Sequence, residues 1–291
     1  MQVEAQITSL GGIASRQNLV ARGATSRALT AAVKSGHVRR IRNGWYTTLP
    51  ASDPQVIAVR LGGVLTGAAA LHLQNAWLWN PPRSLDVRLA AGASRPKLVP
   101  RNVTLSYGRL PRNRRTVATD HEALVHAVKH LPFEEAVAVL DWACHTRRLD
   151  EVDLHRLCAR LPKPLRRIAE WVDRDCESVL ESIVRTRLRL LGYEVVSQVP
   201  VDTVRSIDLV VDGVLGLELD GRAYHESSFE SDREKDLAIV LEGRSAMRVS
   251  YGMVRRDWPR VEQGIAAAVA MHRGHRRASG MPERHRRLQT P

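Results

Sequence analysis

The chain has 291 residues, 44% of them hydrophobic, and carries 44 Lys/Arg against 31 Asp/Glu, a net charge of +13. That length holds about two domains of ordinary size; no apolar run is long enough to span a membrane, and the N-terminus lacks the basic-then-apolar order of a secretion signal. Cys144, Cys158 and Cys176 are odd in number and far apart, which argues against a disulfide framework or a zinc site and fits a reducing cytoplasm.

The positive charge is concentrated at the two ends. Residues 1–50 hold seven Lys/Arg and one acid, and residues 255–291 hold nine Arg and three acids. Two basic ends around a near-neutral body predict a polyanion partner, with nucleic acid ahead of an arginine-rich solvated surface.

Residues 1–50 read as a winged helix. A first helix covers about Glu4–Leu10. Ser15 is set to cap a helix over Arg16–Arg22, and Thr25 one over Ser26–Ser35, with Gly36 just past its end. Strands over Val38–Ile41 and Trp45–Thr48 flank an Arg42-Asn43-Gly44 turn. In this order the third helix enters a major groove. Arg27, Thr30 and Lys34 then face outward on it, and Arg39, Arg40 and Arg42 lie on the wing, where they suit phosphates.

Residues 51–165 predict a mixed α/β linker region. Val64–Leu73 reads as a packed helix, Leu85–Leu89 as a half-buried strand with Asn102–Tyr107 as partner, and Asp120–His130 and Glu134–Arg147 as helices. His126 and His130 lie one helical turn apart, a spacing read as a polar face ahead of a ligand pair. Leu161-Pro162-Lys163-Pro164-Leu165 breaks the helical pattern and marks a domain boundary.

Residues 170–272 predict a second domain in the order helix, strand, strand, strand, helix, strand, helix, and 273–291 a disordered basic tail. Its informative part is Ile207–His225, a hairpin whose Val and Leu runs are interrupted by carboxylates. Carboxylates on strands are unfavourable unless solvated, paired or bound to a metal, and a hard cation such as Mg²⁺ needs such oxygens. Register decides whether the site exists. A two-residue Asp212-Gly213 turn pairs Asp208 with Leu217, whereas a three-residue loop or a bulge pairs Asp208 with Glu218; the second is expected. Asp212 itself reads as a turn residue, and Ser231 with Glu234 as a capping box for a helix over Asp232–Glu242.

Asp208, Leu219-Asp220-Gly221-x-x-x-His225, then Asp232-Arg233 and Asp236 ahead of a strand resemble the very-short-patch-repair (Vsr) type of endonuclease and its relative, domain-of-unknown-function family 559. Both belong to the PD-(D/E)XK nucleases. Gly12-Ile13-Ala14-Ser15 through Gly44-Trp45-Tyr46 is similar to the winged helix of AbiEi-type antitoxins. The resemblance implies an α/β (α+β) chain: a winged helix-turn-helix, a mixed middle region and a restriction-endonuclease-like αβββαβ(α) domain. It further implies Asp208 and Glu218 as ligands for Mg²⁺ or Mn²⁺, Glu181 as the helix glutamate, His225 as the proton-transfer histidine, and DNA as partner. Asp220 stands where the superfamily has lysine, with Arg222 or Lys235 as substitutes; Asp220 also reads as an Asx-turn residue. The competing expectation is a non-catalytic, antitoxin-like regulator with a cognate toxin.

Overall fold

The computed structural model describes residues 2–110, 115–201, 205–221 and 229–278, with side chains described for these except 229–233 and 273–278. The chain divides into two compact units, Met1–Val139 with Glu151–Arg167, and Leu140–Asp150 with Ile168–Pro291. The winged-helix segment and the region after it therefore share one unit, and the Leu140–Asp150 stretch joins the second. The fold class is α/β, as expected. No helix among the described residues is long and apolar enough to cross a membrane.

The first unit opens with α1 (Gln2–Ser9), β1 (Ile13–Ser15), α2 (Arg16–Ala21), α3 (Ser26–Lys34), β2 (Arg39–Arg42) and β3 (Trp45–Thr47). Ser15 accepts a hydrogen bond from the Asn18 N–H and Thr25 one from the Ala28 N–H, so both caps act where the sequence places them. The strands form a sheet in the order β1-β3-β2. Val3, Ile7, Leu19, Leu29, Val38 and Tyr46 are buried together beneath it.

The helix α4 (Pro54–Leu61) follows, then β4 (Val64–Thr66) and α5 (Gly67–His72). The expected single helix over Val64–Leu73 is thus a strand that turns into a helix at Gly67, whose φ of +60° favours glycine. The strands β4, β5 (Leu85–Ala90) and β6 (Val103–Gly108) form the second sheet; β5 runs antiparallel to β4 and parallel to β6. Then come α6 (Asp120–His130), α7 (Phe133–His145) and α8 (Glu151–Ala159). A capping box between Thr119 and Glu122 starts α6. His126 is buried and stacks on His130 with ring centroids 4.3 Å apart, so it is part of the core and not of a polar helix face.

A 3₁₀ stretch over Lys163–Trp171 crosses from the first unit into the second, which continues with α9 (Val179–Leu190), β7 (Val195–Pro200), β8 (Ser206–Val211), β9 (Leu215–Asp220), α10 (Phe229–Leu241), β10 (Ser245–Ser250), α11 (Tyr251–Arg256) and α12 (Trp258–Ala278). The sheet order is β10-β9-β8-β7; β9 and β10 are parallel and the other pairs antiparallel. Two boundaries differ from expectation. The helix α10 starts at Phe229, which puts Ser231 inside it and not at its cap, and α12 continues to Ala278, past the expected end near His272. Residues 279–291 of the expected tail lie outside the described residues.

Under α9 lies a buried ion pair. Arg185 Nη2 is 2.8 Å from Asp141 Oδ2, and both side chains are almost fully buried. Asp141 also accepts from the Ser182 hydroxyl and the Asp173 N–H. Burial pushes Asp141 up to about 6, which still leaves it an anion facing Arg185 at neutral pH.

Candidate metal centre and nucleic-acid interface

The hairpin of β8 and β9 sets the geometry of the site. Its ladder pairs Leu209 with Leu217, Val210 with Gly216 and Val211 with Leu215. This is the register with three residues, Asp212–Val214, between the paired ends; continued, it sets Asp208 opposite Glu218. The tight-turn alternative, Asp208 with Leu217, is excluded. Asp212 serves the turn: its φ is +49° and its Oδ1 accepts from the Glu194 N–H at 2.9 Å. Beyond Leu209 the strands are joined by a side chain, because Asp208 Oδ2 accepts from the Leu219 N–H at 2.7 Å.

The helix α10 lays Lys235 across this end of the hairpin. Its Nζ lies 2.5 Å from Glu218 Oε2 and 3.8 Å from Asp208 Oδ1. Glu218 is only 4% exposed, and its Oε1 has no hydrogen-bond partner among the described residues. Burial, with the neighbouring Asp208 charge second, pushes Glu218 up to about 7 despite Lys235. Burial also raises Asp208, opposed by the Leu219 N–H and Lys235.

Glu181 lies in the first turn of α9 and is engaged by three donors. The Ser178 hydroxyl donates to Oε1 at 2.7 Å, and the Glu177 N–H and Gln198 Nε2 donate to Oε2 at 2.9 and 3.0 Å. Its carboxylate thus caps α9 and ties it to β7, while burial raises its proton affinity and Asp208 adds to the rise. Gln198 has a φ of +50°, and its Oε1 accepts from the Ser206 hydroxyl. Asp220 pairs with Arg248 Nη1 at 3.4 Å, and Arg248 Nε meets both oxygens of Asp236 at 3.2 Å.

The structure therefore brings Asp208, Glu218 and Lys235 together, with Glu181 coupled electrostatically to Asp208 and Asp220 paired outward to Arg248. His225 and Arg222 lie outside the described residues. Among the described residues, no three His, Cys, Asp or Glu side chains are grouped to hold a metal. Gln198, Ser206 and Arg248 carry no sequence signal that separates them from ordinary strand residues; Lys235, one of the two candidates for the missing cation, lies at the carboxylates.

On the first unit, Arg27, Thr30 and Lys34 are exposed on α3, and Arg39, Arg40 and Arg42 are exposed on β2. Thr30 Oγ1 donates back to the Ser26 carbonyl. Arg39 donates to the Leu49 carbonyl, and Arg40 Nη2 donates to Asn43 Oδ1 at 2.6 Å. A register shift between Arg40 and Arg42 kinks β2.

No protein-family model matches the chain, and no curated protein matches it. Among solved structures, the RV2827C protein from Mycobacterium tuberculosis is similar, with 16% identity over 71% of this chain and 85% of that one and a TM-score of 0.32. At that score the likeness assigns no property to this chain.

Proposed function

We propose that the protein binds DNA and that its second unit is a metal-dependent phosphodiesterase, an endonuclease of the PD-(D/E)XK type similar to the Vsr-like enzymes and to family 559, acting in the cytoplasm. The observation that carries this reading is the convergence of Asp208 and Glu218 on one ammonium group, with Glu218 Oε1 buried and without a partner among the described residues. A buried oxygen without a partner is costly unless a ligand uses it.

Two carboxylates with a spare oxygen fit Mg²⁺ or Mn²⁺, since Mg²⁺ takes one or two protein carboxylates and completes its shell with water and phosphate. Asp208 and Glu218 are the residues that would hold the ion. When bound, the ion supplies Lewis-acid stabilisation and a water of lowered pKa. The chain does the rest. The Leu219 N–H fixes Asp208, and the chain Ser178–Glu181–Gln198–Ser206 fixes the start of α9 against β7 and β8. Lys235 supplies the cation that Asp220 cannot. On the first unit, Arg27, Thr30 and Lys34 read the major groove, and Arg39, Arg40 and Arg42 hold backbone phosphates.

The test is incubation of the full chain with supercoiled plasmid and Mg²⁺ or Mn²⁺. Nicking or linearisation that vanishes in Asp208→Ala supports the reading, and intact plasmid with both ions sinks it. A second reading is a non-catalytic, antitoxin-like transcriptional regulator with a cognate toxin. It is favoured by the way Lys235 and Arg248 already neutralise Glu218 and Asp220 within the fold. Tight binding to one promoter without cleavage would select it.

A further inference from the structure

The near-neutral body of the chain hides a strongly basic segment. Residues 83–115 hold nine Lys/Arg and one acid, while the rest of 51–254 holds nineteen Lys/Arg and twenty-six acids. This segment contains β5, β6 and the connection between them. Its one acid is turned inward. Asp86 accepts from the Ala68 N–H, and a Cβ at Gly67 would stand 2.6 Å from both Asp86 Oδ2 and His126 Nδ1. The carboxylate thus leans toward α5 and α6 and away from β6. Arg95, Lys97, Arg101, Arg109 and Arg115 are exposed. Residues 111–114 lie outside the described residues; their sequence, Pro-Arg-Asn-Arg, brings no acid.

The same segment carries an open sheet edge. The strand β6 is hydrogen-bonded to β5 and, among the described residues, to no strand on its other side. The opposite edge of that sheet is closed, because Leu65 exchanges backbone hydrogen bonds with Thr116 and Ala118. Outside the β5 ladder, the one β6 backbone bond among the described residues runs from the Val103 N–H to the Pro100 carbonyl. Exposed edges invite pairing, and proteins blunt them with charge, proline or a bulge. Here Val103-Thr104-Leu105-Ser106-Tyr107-Gly108 is uncharged and free of proline, and its register with β5 runs without a shift. Thr104 and Tyr107 are exposed on the strand, and Leu98 on the connection before it. Charge stands at both ends of the edge. Arg101 precedes β6 and Arg109 follows it. A Cβ at Gly108 would stand 3.6 Å from Arg88 Cδ, so the Arg88 side chain extends over the strand end where no side chain blocks it. None of these three arginines has a hydrogen-bond or ion-pair partner among the described residues.

We infer that β6 takes an added strand from a partner protein: an extended acidic segment whose backbone pairs with this edge and whose carboxylates meet Arg88, Arg101 and Arg109. Strand addition draws affinity from main-chain hydrogen bonds and selectivity from side chains. The arginines at the two ends favour acidic segments and repel basic ones. A nucleic acid would use the arginines and leave the open ladder unused. This inference depends neither on the carboxylates of the second unit nor on the winged helix.

The test uses the full chain and short fluorescent peptides in which valine alternates with glutamate, threonine or lysine, followed by anisotropy. The glutamate peptide is expected to bind. A version of equal charge with proline at two adjacent central positions should bind at least about tenfold more weakly, because proline removes ladder donors. Amide exchange over residues 103–108 should slow in the complex. Arg101→Glu with Arg109→Glu should lose the glutamate peptide and gain the lysine one, a reversal that a folding defect cannot produce. Binding of none of the peptides, binding that tolerates proline, or protection that spares β6 would overturn the inference. A single-stranded oligonucleotide that binds through the same two arginines while every peptide fails would assign the surface to nucleic acid instead.

Discussion

Lys235 Nζ sits 2.5 Å from Glu218 Oε2 and 3.8 Å from Asp208 Oδ1, so one ammonium from α10 serves as counter-ion to two carboxylates from a hairpin. A divalent cation bound by the same oxygens has to compete with it. Lys235→Met is therefore expected to bind Mn²⁺ more tightly than wild type, by roughly tenfold, the equivalent of about 1.4 kcal/mol. Titration calorimetry checks this. Equal or weaker binding by the variant would mean that the lysine does not occupy the cation's place.

The metal-free protein should lose stability as the pH rises from about 4.5 to about 7, the ordinary and folded-state values for Glu218. Below that window the carboxyl is protonated in both folded and unfolded chains. Within it, only the folded chain keeps the proton, so each step up in pH favours unfolding. Above it, both forms are ionised and the penalty is constant. Asp208 and Glu181 are raised as well and act in the same direction. Urea midpoints measured in EDTA across this range should fall in wild type and fall less in Glu218→Gln. A flat wild-type profile would contradict the burial of a charged Glu218.

Arg185→Met should cost about 3–5 kcal/mol, because it strands Asp141 in the core with only the Ser182 hydroxyl and the Asp173 N–H as donors. Adding Asp141→Leu to that variant should recover a substantial part, since an apolar pair leaves no buried charge behind. Chemical denaturation of the three proteins decides it; a double variant no more stable than the single would show that the pair also sets the packing of α9.

Gly67→Ala should destabilise the first unit by roughly 2 kcal/mol or more. The residue has a φ of +60°, and a Cβ there would stand 2.6 Å from both Asp86 Oδ2 and His126 Nδ1. Thermal melting measures the loss. A neutral substitution would mean that β4 and α5 can part at little cost.

Elements with local punctuation were legible in the sequence. The caps at Ser15 and Thr25 and the span Asp120–His130 stand where residue type and period place them. The failures are places where local signals cancel. Ile13–Ser15 is a strand of three residues, all buried, too short to show alternation. Val64–Leu73 is apolar throughout, so a strand and a helix in series read as one helix, and Gly67 alone marks the joint. The carboxylates of the site were visible because they break apolar strands. Of their partners, Arg248 was not, and Lys235 was one of two candidates for the missing cation. Lys235 reaches Glu218 only once α10 packs on the sheet, and Arg248 reaches Asp220 only through the parallel pairing of β9 and β10, neither of which a one-dimensional pattern contains.

The loop Asp212–Val214 has a consequence that no side chain carries. Its length is odd, and the parity of that count decides which β9 residue meets Asp208. Removing Val214 would leave the two strands and every carboxylate in the chain, yet would slide Glu218 past Asp208 and turn the side chains of β9 to the other face. A single in-frame codon lost here would therefore separate architecture from chemistry more cleanly than any point substitution, giving a folded molecule with all its acidic residues and no meeting point for them.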